Sequence, residues 1–128
     1  MCQTENKNIQ FSYQQKIAMM RILLDIVNAD GVVDARESFF FDKLMVGFDM
    51  SQEDRIVVNE KNSLLALAQI KDMTDEQKEF FSKLMTNMVI VDGDVNVNEV
   101  AIYDVVATFC NFKTSFEEKD LPSGLSHS

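Results

Sequence analysis

The sequence predicts a single, all-helical domain, and three observations point to that fold class. Apolar residues recur at helical spacing along most of the chain. The 128 residues include only one proline and four glycines, which favours long helices with tight connections over a many-turned β-sandwich. Two Asp-Gly pairs, at 30–31 and 92–93, each follow a long apolar stretch. A chain of this length can bury about two-thirds of its unfolded surface, so it needs no disulfide.

The first two helices are predicted on either side of the first Asp-Gly pair. The apolar stripe of the first helix, within residues 11–29, consists of Ile17, Met20, Leu23, Leu24, Ile26 and Val27. Gly31 can adopt the left-handed conformation that ends a helix. Asp34 then begins the second helix as its N-cap, and Glu37 completes the pattern of a capping box. Gly47 ends this helix.

Four more helices follow. Ser51 opens a short third helix, and residues 62–70 predict a fourth. Thr74 and Gln77 form the capping-box pattern of a long fifth helix that ends near the second Asp-Gly pair. Asn96 caps the sixth.

The helical domain is predicted to span residues 10–113. Residues 1–9 are polar and expected to be irregular. Apolar density falls after the sixth helix, so residues 114–128 are expected to form an extension or tail, with room for one or two helical turns at 114–120.

The cysteines and the apolar runs predict a cytoplasmic protein. Cys2 and Cys110 share no metal-type spacing, and free thiols are typical of a reducing compartment. Residues 1–9 lack the apolar core of a secretory signal. No apolar run approaches the ~18 residues of a membrane helix, so we expect no membrane insertion.

The two Asp-Gly pairs belong to similar segments, residues 11–50 and 75–112. A shift of 62 places Val27 on Val89, Asp30 on Asp92, Gly31 on Gly93, Val33 on Val95, Asp34 on Asn96, Glu37 on Glu99 and Asp42 on Asp104. We therefore predict an internal duplication of a helix–loop–helix unit. Two such halves can pack about a pseudo-two-fold axis, because neither buries its apolar stripe alone.

Both predicted loops are rich in oxygen donors. The candidate metal ligands are Asp30, Asp34 and Glu37 in the first loop and Asp92, Asp94, Asn96 and Glu99 in the second. Such hard ligands suit Ca²⁺, Mg²⁺ or Mn²⁺ rather than Zn²⁺. The alternative is that the same residues only stop and start helices, since these are ordinary capping signals.

The loops match only half of an EF-hand. Counting back from the terminal glutamate, glycine stands at the sixth position and valine at the eighth in both loops. The first position is Ile26 or Met88 and the third is Asn28 or Ile90. The first anchor of a high-affinity EF-hand is therefore missing twice.

The net charge and the single histidine exclude several classes of function. A charge of −9 repels nucleic acid and favours cations or basic protein surfaces. The one histidine, His127, lies at the end of the sequence, and no Gly-rich phosphate loop is present, which argues against an enzyme. A carboxylate-only metal hydrolase that uses Asp30, Glu37, Asp92 and Glu99 is the enzymatic alternative.

Residues 28–37 read Asn-Ala-Asp-Gly-Val-Val-Asp-Ala-Arg-Glu, and residues 91–99 read Val-Asp-Gly-Asp-Val-Asn-Val-Asn-Glu. Over residues 11–112 the chain resembles the TerB-like domain of tellurite-resistance proteins, which also occurs beside J-domains in some co-chaperones. The resemblance implies an all-α bundle of about seven helices with an internal duplication. It also implies a role in bacterial stress responses or phage defence.

The resemblance further implies a divalent-metal role for the acidic motif. The matching positions are Asp30, Asp34, Glu37, Asp92, Asn96 and Glu99. The second motif departs from the family pattern, with Asn96 where an acid is common. Tellurite resistance itself is not implied, because an acidic surface repels an oxyanion.

The predicted function is a non-enzymatic, TerB-like stress-response module that binds a divalent cation or a protein partner through its two acidic loops. The first alternative is a protein-interaction scaffold without metal, whose loops are only helix caps. The second is the carboxylate-only hydrolase. We expect a monomer or a weak homodimer.

Overall fold

The fold is taken from a computed structural model, which describes residues 9–29, 31–91, 93 and 95–112. In these residues the chain forms six helices and no strand: α1 (Tyr13–Val27), α2 (Ala35–Gly47), α3 (Gln52–Glu60), α4 (Ser63–Lys71), α5 (Asp75–Ile90) and α6 (Val97–Phe109). The all-helical prediction is confirmed. The expected count of about seven is not confirmed in this part of the chain, and the predicted tail at 114–128 lies outside it, as does Cys2. No helix among the described residues is long and apolar enough to cross a bilayer.

The central element is α1, which packs against each of the other five helices. Its buried residues are Ile17, Ala18, Met19, Met20, Ile22, Leu23, Ile26 and Val27. Four of them are consecutive, so they point to all sides of the helix. The predicted one-sided stripe is therefore too narrow, and Leu24, which it included, is only half-buried. A helix buried on all sides needs neighbours on every face, and the other helices supply them.

Every helix begins at a capping side chain. Full capping boxes, with bonds in both directions, open α1 (Ser12 and Gln15), α3 (Ser51 and Asp54) and α5 (Thr74 and Gln77). Single acceptors open α2 (Asp34), α4 (Asn62) and α6 (Asn96). These caps satisfy N–H groups of the first turn, which have no partner inside the helix. The sequence placed four of the six helix starts through these residues, namely Asp34, Ser51, Thr74 and Asn96.

The pair α1–α2 and the pair α5–α6 share local geometry at a spacing of 62 residues. Both α2 and α6 are 13 residues long. Asp49 and Asn111 both follow these helices with positive φ, at 62° and 61°. The N-terminal ends of α1 and α5 meet, where Nε2 of Gln77 donates to Oε1 of Gln15 at 3.3 Å. Residues 62 apart thus adopt matching backbone conformations, and one such pair is in direct contact.

A polar cluster joins α1 to the connection between α3 and α4. The Arg21 guanidinium donates to Asp25 Oδ1 at 2.6 Å, to Asn59 O at 2.8 Å and to Ser63 Oγ at 3.2 Å. Ser63 Oγ in turn donates to Asp25 Oδ2 at 2.7 Å. Asn59 O belongs to the last turn of α3, where carbonyl groups lack partners inside the helix and favour a cation. The cluster therefore fixes the end of α3 to α1.

The thiol of Cys110 lies in the core beside α4. It donates weakly to Leu67 O at 3.5 Å, and burial raises its pKa to about 11. Such a thiol stays protonated at neutral pH and is a poor nucleophile. Its role is packing, as expected for a cysteine on an apolar stripe.

We expect Arg21→Met to destabilise the fold by about 1–3 kcal/mol, because the substitution leaves Asp25 Oδ1 and the carbonyl group of Asn59 without their donor. Urea unfolding followed by circular dichroism measures this change. The matched control is Lys83→Met, since Lys83 is 72% exposed and lies 3.8 Å from Glu79. Its effect should stay within about 0.5 kcal/mol. Equal effects of the two substitutions would contradict the role of the cluster.

Candidate functional site

Both acidic loops turn through a glycine with positive φ. Gly31 has φ of 81° and donates its N–H to Asn28 O at 3.0 Å. Gly93 has φ of 77° and donates its N–H to Ile90 O at 2.9 Å. This left-handed conformation strains any residue with a Cβ, which explains a glycine at both positions. The helices α1 and α5 already end at Val27 and Ile90, so the glycines turn the chain after the helix ends rather than stopping the helices as predicted.

Two of the predicted ligands act as helix caps. Asp34 Oδ1 accepts the N–H of Arg36 at 2.7 Å, and the Arg36 guanidinium lies 3.4 Å from the same oxygen. Asn96 Oδ1 accepts the N–H groups of Asn98 at 2.8 Å and Glu99 at 3.3 Å. The hydrogen bond from the Arg36 N–H lowers the pKa of Asp34. Both side chains therefore have a structural task that needs no ligand.

Two other predicted ligands are buried. The side chains of Glu37 and Glu99 stand in the first turns of α2 and α6, and each residue is only 2% exposed. Asp34 caps α2 as predicted, but the reciprocal bond from Glu37 that completes a capping box is not found in the described residues, and the Glu37 side chain lies in the interior. A carboxylate out of water is stabilised by hydrogen bonds, by a nearby cation or by a proton.

Each loop begins beside the helix that follows the other loop. Val91, at the end of α5, lines a cavity of about 380 Å³ with Ala35 and Arg36 of α2. Asn28, at the end of α1, lines a cavity of about 520 Å³ with Ala101 and Ile102 of α6. The start of the second loop therefore lies against the helix that follows the first loop, and the reverse also holds.

The described residues contain four of the seven predicted ligands, namely Asp34, Glu37, Asn96 and Glu99. The other three, Asp30, Asp92 and Asp94, lie outside the described residues. Within the described part of the chain, no three His, Cys, Asp or Glu side chains form a group that holds a metal ion.

The larger cavity brings together polar residues that the sequence did not single out. Arg21, Asp25 and Ser63 line one part of it, and the remainder is mostly apolar. The available signal was the Arg21–Asp25 pair, two opposite charges four residues apart in an otherwise apolar helix. Ser63 gave no signal, because its contact with Asp25 spans 38 residues of sequence.

Comparison with known proteins finds a similar fold. A crystal structure of a protein of unknown function from Porphyromonas gingivalis W83 superimposes with a TM-score of 0.69 and 22% sequence identity. The match covers 88% of this chain and 93% of that one. No protein-family model matches the sequence, and no curated protein matches it. At this identity the likeness concerns the fold.

We expect Gly31→Ala and Gly93→Ala each to destabilise the protein by about 1 kcal/mol, through the left-handed backbone that alanine disfavours. Steric contact does not contribute, since no atom lies within 4 Å of the added Cβ at either position. Thermal unfolding measures the effect. Gly47→Ala is the matched control, because Gly47 is helical with equal space around it, and it should leave stability unchanged or slightly raised. A loss as large in Gly47→Ala would contradict this explanation.

Asp34 should make stability depend on pH in the acid range. Its pKa is lower in the folded protein than the ~3.9 of an unfolded chain, so its ionised form stabilises the fold above about pH 4. That contribution is lost as the pH falls through the folded pKa. Asn is also a good cap but carries no charge. The difference in melting temperature between wild type and Asp34→Asn should therefore shrink between pH 6 and pH 3, and a constant difference would contradict it.

Proposed function

We propose that this protein is a non-enzymatic, TerB-like stress-response module whose two acidic loops bind a divalent cation or a protein partner. The family assignment rests on the acidic motifs at residues 28–37 and 91–99. The observation that carries the binding proposal is the repetition of the acidic loop: Gly31 and Gly93 share one backbone conformation, and Glu37 and Glu99 follow them at equivalent positions.

The proposal includes an internal duplication of the helix–loop–helix unit. Matching caps, matching glycine conformations and equal lengths of α2 and α6 support it. The contact between Gln15 and Gln77 also supports it, because a residue close to a two-fold axis meets its own counterpart. Two equivalent loops would then present two equivalent sets of donors.

A cation would explain why both loops are rich in carboxylates. Ca²⁺, Mg²⁺ and Mn²⁺ prefer carboxylate and carbonyl oxygens, and both loops supply them. Val91 lines the same cavity as Ala35 and Arg36, which supports a close approach of the two loops. The loops would then act together. Asp30, Asp92 and Asp94 would complete the ligand set.

A scaffold without metal is the second candidate, and one observation favours it. Asp34 and Asn96 both accept backbone N–H groups at helix starts, so capping accounts for them without a ligand. In this version the loops shape the surface that a partner recognises, and the cation makes no contribution. The chemistry of the loops then matters only for folding.

A cation titration distinguishes the two versions. A ligand present at a hundredfold excess over its dissociation constant stabilises the fold by ~2.7 kcal/mol. For a domain of this size that is a rise in melting temperature on the order of 10 °C. We expect such a rise with at least one of Ca²⁺, Mg²⁺ and Mn²⁺, measured by differential scanning calorimetry of the full chain after removal of metals with a chelator.

The site is tested with charge-matched variants. Asp30→Asn combined with Asp92→Asn should abolish the rise, because both loops lose a ligand. Asp72→Asn combined with Asp104→Asn removes the same charge from exposed positions outside the loops and should keep it. No rise with any of the three cations would reject the cation version and favour the scaffold. If both double variants keep the rise in melting temperature, the cation binds outside the loops.

A further inference from the structure

The outward side of α6 carries an apolar stripe. Val97, Ala101, Val105 and Phe109 follow one another at intervals of four residues, and all four are exposed. Val97 is 76% exposed and Val105 is 58% exposed. Residues at this spacing share one face of a helix, so the stripe runs about 20 Å along α6.

The stripe borders the cavity of about 520 Å³ between α1, α4 and α6. Ala101 and Val105 belong to both, and Leu67 of α4 lines the opposite wall. Leu64 of α4, 75% exposed, extends the apolar surface next to the cavity. Together the stripe and the cavity form a groove, which we call the α6 groove. The small side chain of Ala101 helps to leave this space open.

The fold alone does not require these apolar residues. In α2, which has the same length and equivalent caps, the corresponding positions are Ala35, Phe39, Lys43 and Gly47. The equivalent surface there is interrupted by a charge, and its cavity is smaller, at about 380 Å³. Exposed apolar surface that folding does not need is typical of a binding site.

The charges around the α6 groove favour one kind of partner. Arg21, which lines the cavity, and Lys71, which contacts the Phe109 ring, are both already engaged. Arg21 is bonded to Asp25 and to the end of α3, and Lys71 lies 5.0 Å from the centre of the Phe109 ring and donates to Phe109 O. Asp104 is exposed on α6 between members of the stripe, and the whole chain carries −9. An acidic partner would therefore be repelled and a basic one attracted.

We propose that the α6 groove binds an amphipathic helix of a protein partner, with Lys or Arg residues flanking its apolar face. The apolar face lies along Val97, Ala101 and Val105, and the basic residues meet Asp104 and the negative field of the chain. Recognition of this kind uses apolar anchors at helical spacing in a preformed groove. The groove borders the acidic loops at Asn28 and at Val97, which follows the cap Asn96. Its contacts are apolar side chains and Asp104, so this proposal does not depend on a cation.

The probe is a synthetic helical peptide of roughly 18 residues, about five turns, with leucine on one face and lysine on the others. Binding to the full chain is measured by fluorescence anisotropy in the presence of a chelator. We expect Val105→Glu to weaken binding about tenfold or more. Val46→Glu, at a 78% exposed position of α2, should not weaken it. A peptide with glutamate in place of lysine should bind at least tenfold more weakly to the wild type.

The control separates apolar docking from net charge. Both glutamate substitutions make the chain more negative, so charge attraction alone predicts equal or tighter binding of the lysine peptide to both variants. If Val105→Glu and Val46→Glu behave alike, the groove is overturned as the site. If the glutamate peptide binds as well as the lysine peptide, the basic partner is overturned. Circular dichroism checks that each variant is folded. If Val105→Glu is unfolded, Val97→Glu replaces it in the binding measurement.

Two other occupants give distinct results. If the wild type sediments as a dimer that Val105→Glu converts to a monomer, a second copy of the chain fills the groove. If Phe116→Ser combined with Leu121→Ser raises the affinity for the lysine peptide tenfold, the C-terminal segment of the chain competes for the groove. Either result overturns the proposal.

Discussion

The burial of α1 on every side is the constraint on which the rest of the fold depends. Eight of its fifteen residues are buried, including the consecutive run from Ile17 to Met20. A helix this apolar is stable in water only if neighbouring helices cover it completely. The other five helices all contact it, and Arg21, on its least apolar side, is used to hold the end of α3. The short connections follow from this arrangement, because each one must bring the next helix back into contact with α1.

The acidic loops show how closely structural and binding roles overlap at helix ends. Gly31 and Gly93 turn the chain after the long helices end, and Asp34 and Asn96 start the next ones. These tasks use residues that are also hard metal ligands. Glu37 and Glu99 differ from them, since a helix start does not require a carboxylate that is 2% exposed. Both residues have interaction partners within the protein, so their burial is part of the fold itself.

The sequence predicted the helices well because their boundaries depend on local chemistry. Four caps, Asp34, Ser51, Thr74 and Asn96, each accept N–H groups within three residues. Donor and acceptor are therefore close in the sequence, and the interaction can be recognised there. The burial of Met19 and Ile22 was missed, because periodicity identifies an apolar face but does not reveal how many helices surround it. The burial of Glu37 and the α6 groove were missed for a related reason. Both depend on contacts between segments far apart in the chain, such as the packing of Leu67 opposite Ala101.

The contact between Gln15 and Gln77 limits the substitutions that the protein can accept at these two positions. An amide side chain carries both a donor and an acceptor, so it can bond to a copy of itself. A lysine or a glutamate at both positions would instead place like charges together. Glutamine is thus self-complementary at the point where α1 and α5 meet, and each glutamine also completes the cap of its own helix. Replacement of one member by a charged residue would demand an opposite charge in the other, and the two segments would then have to diverge together.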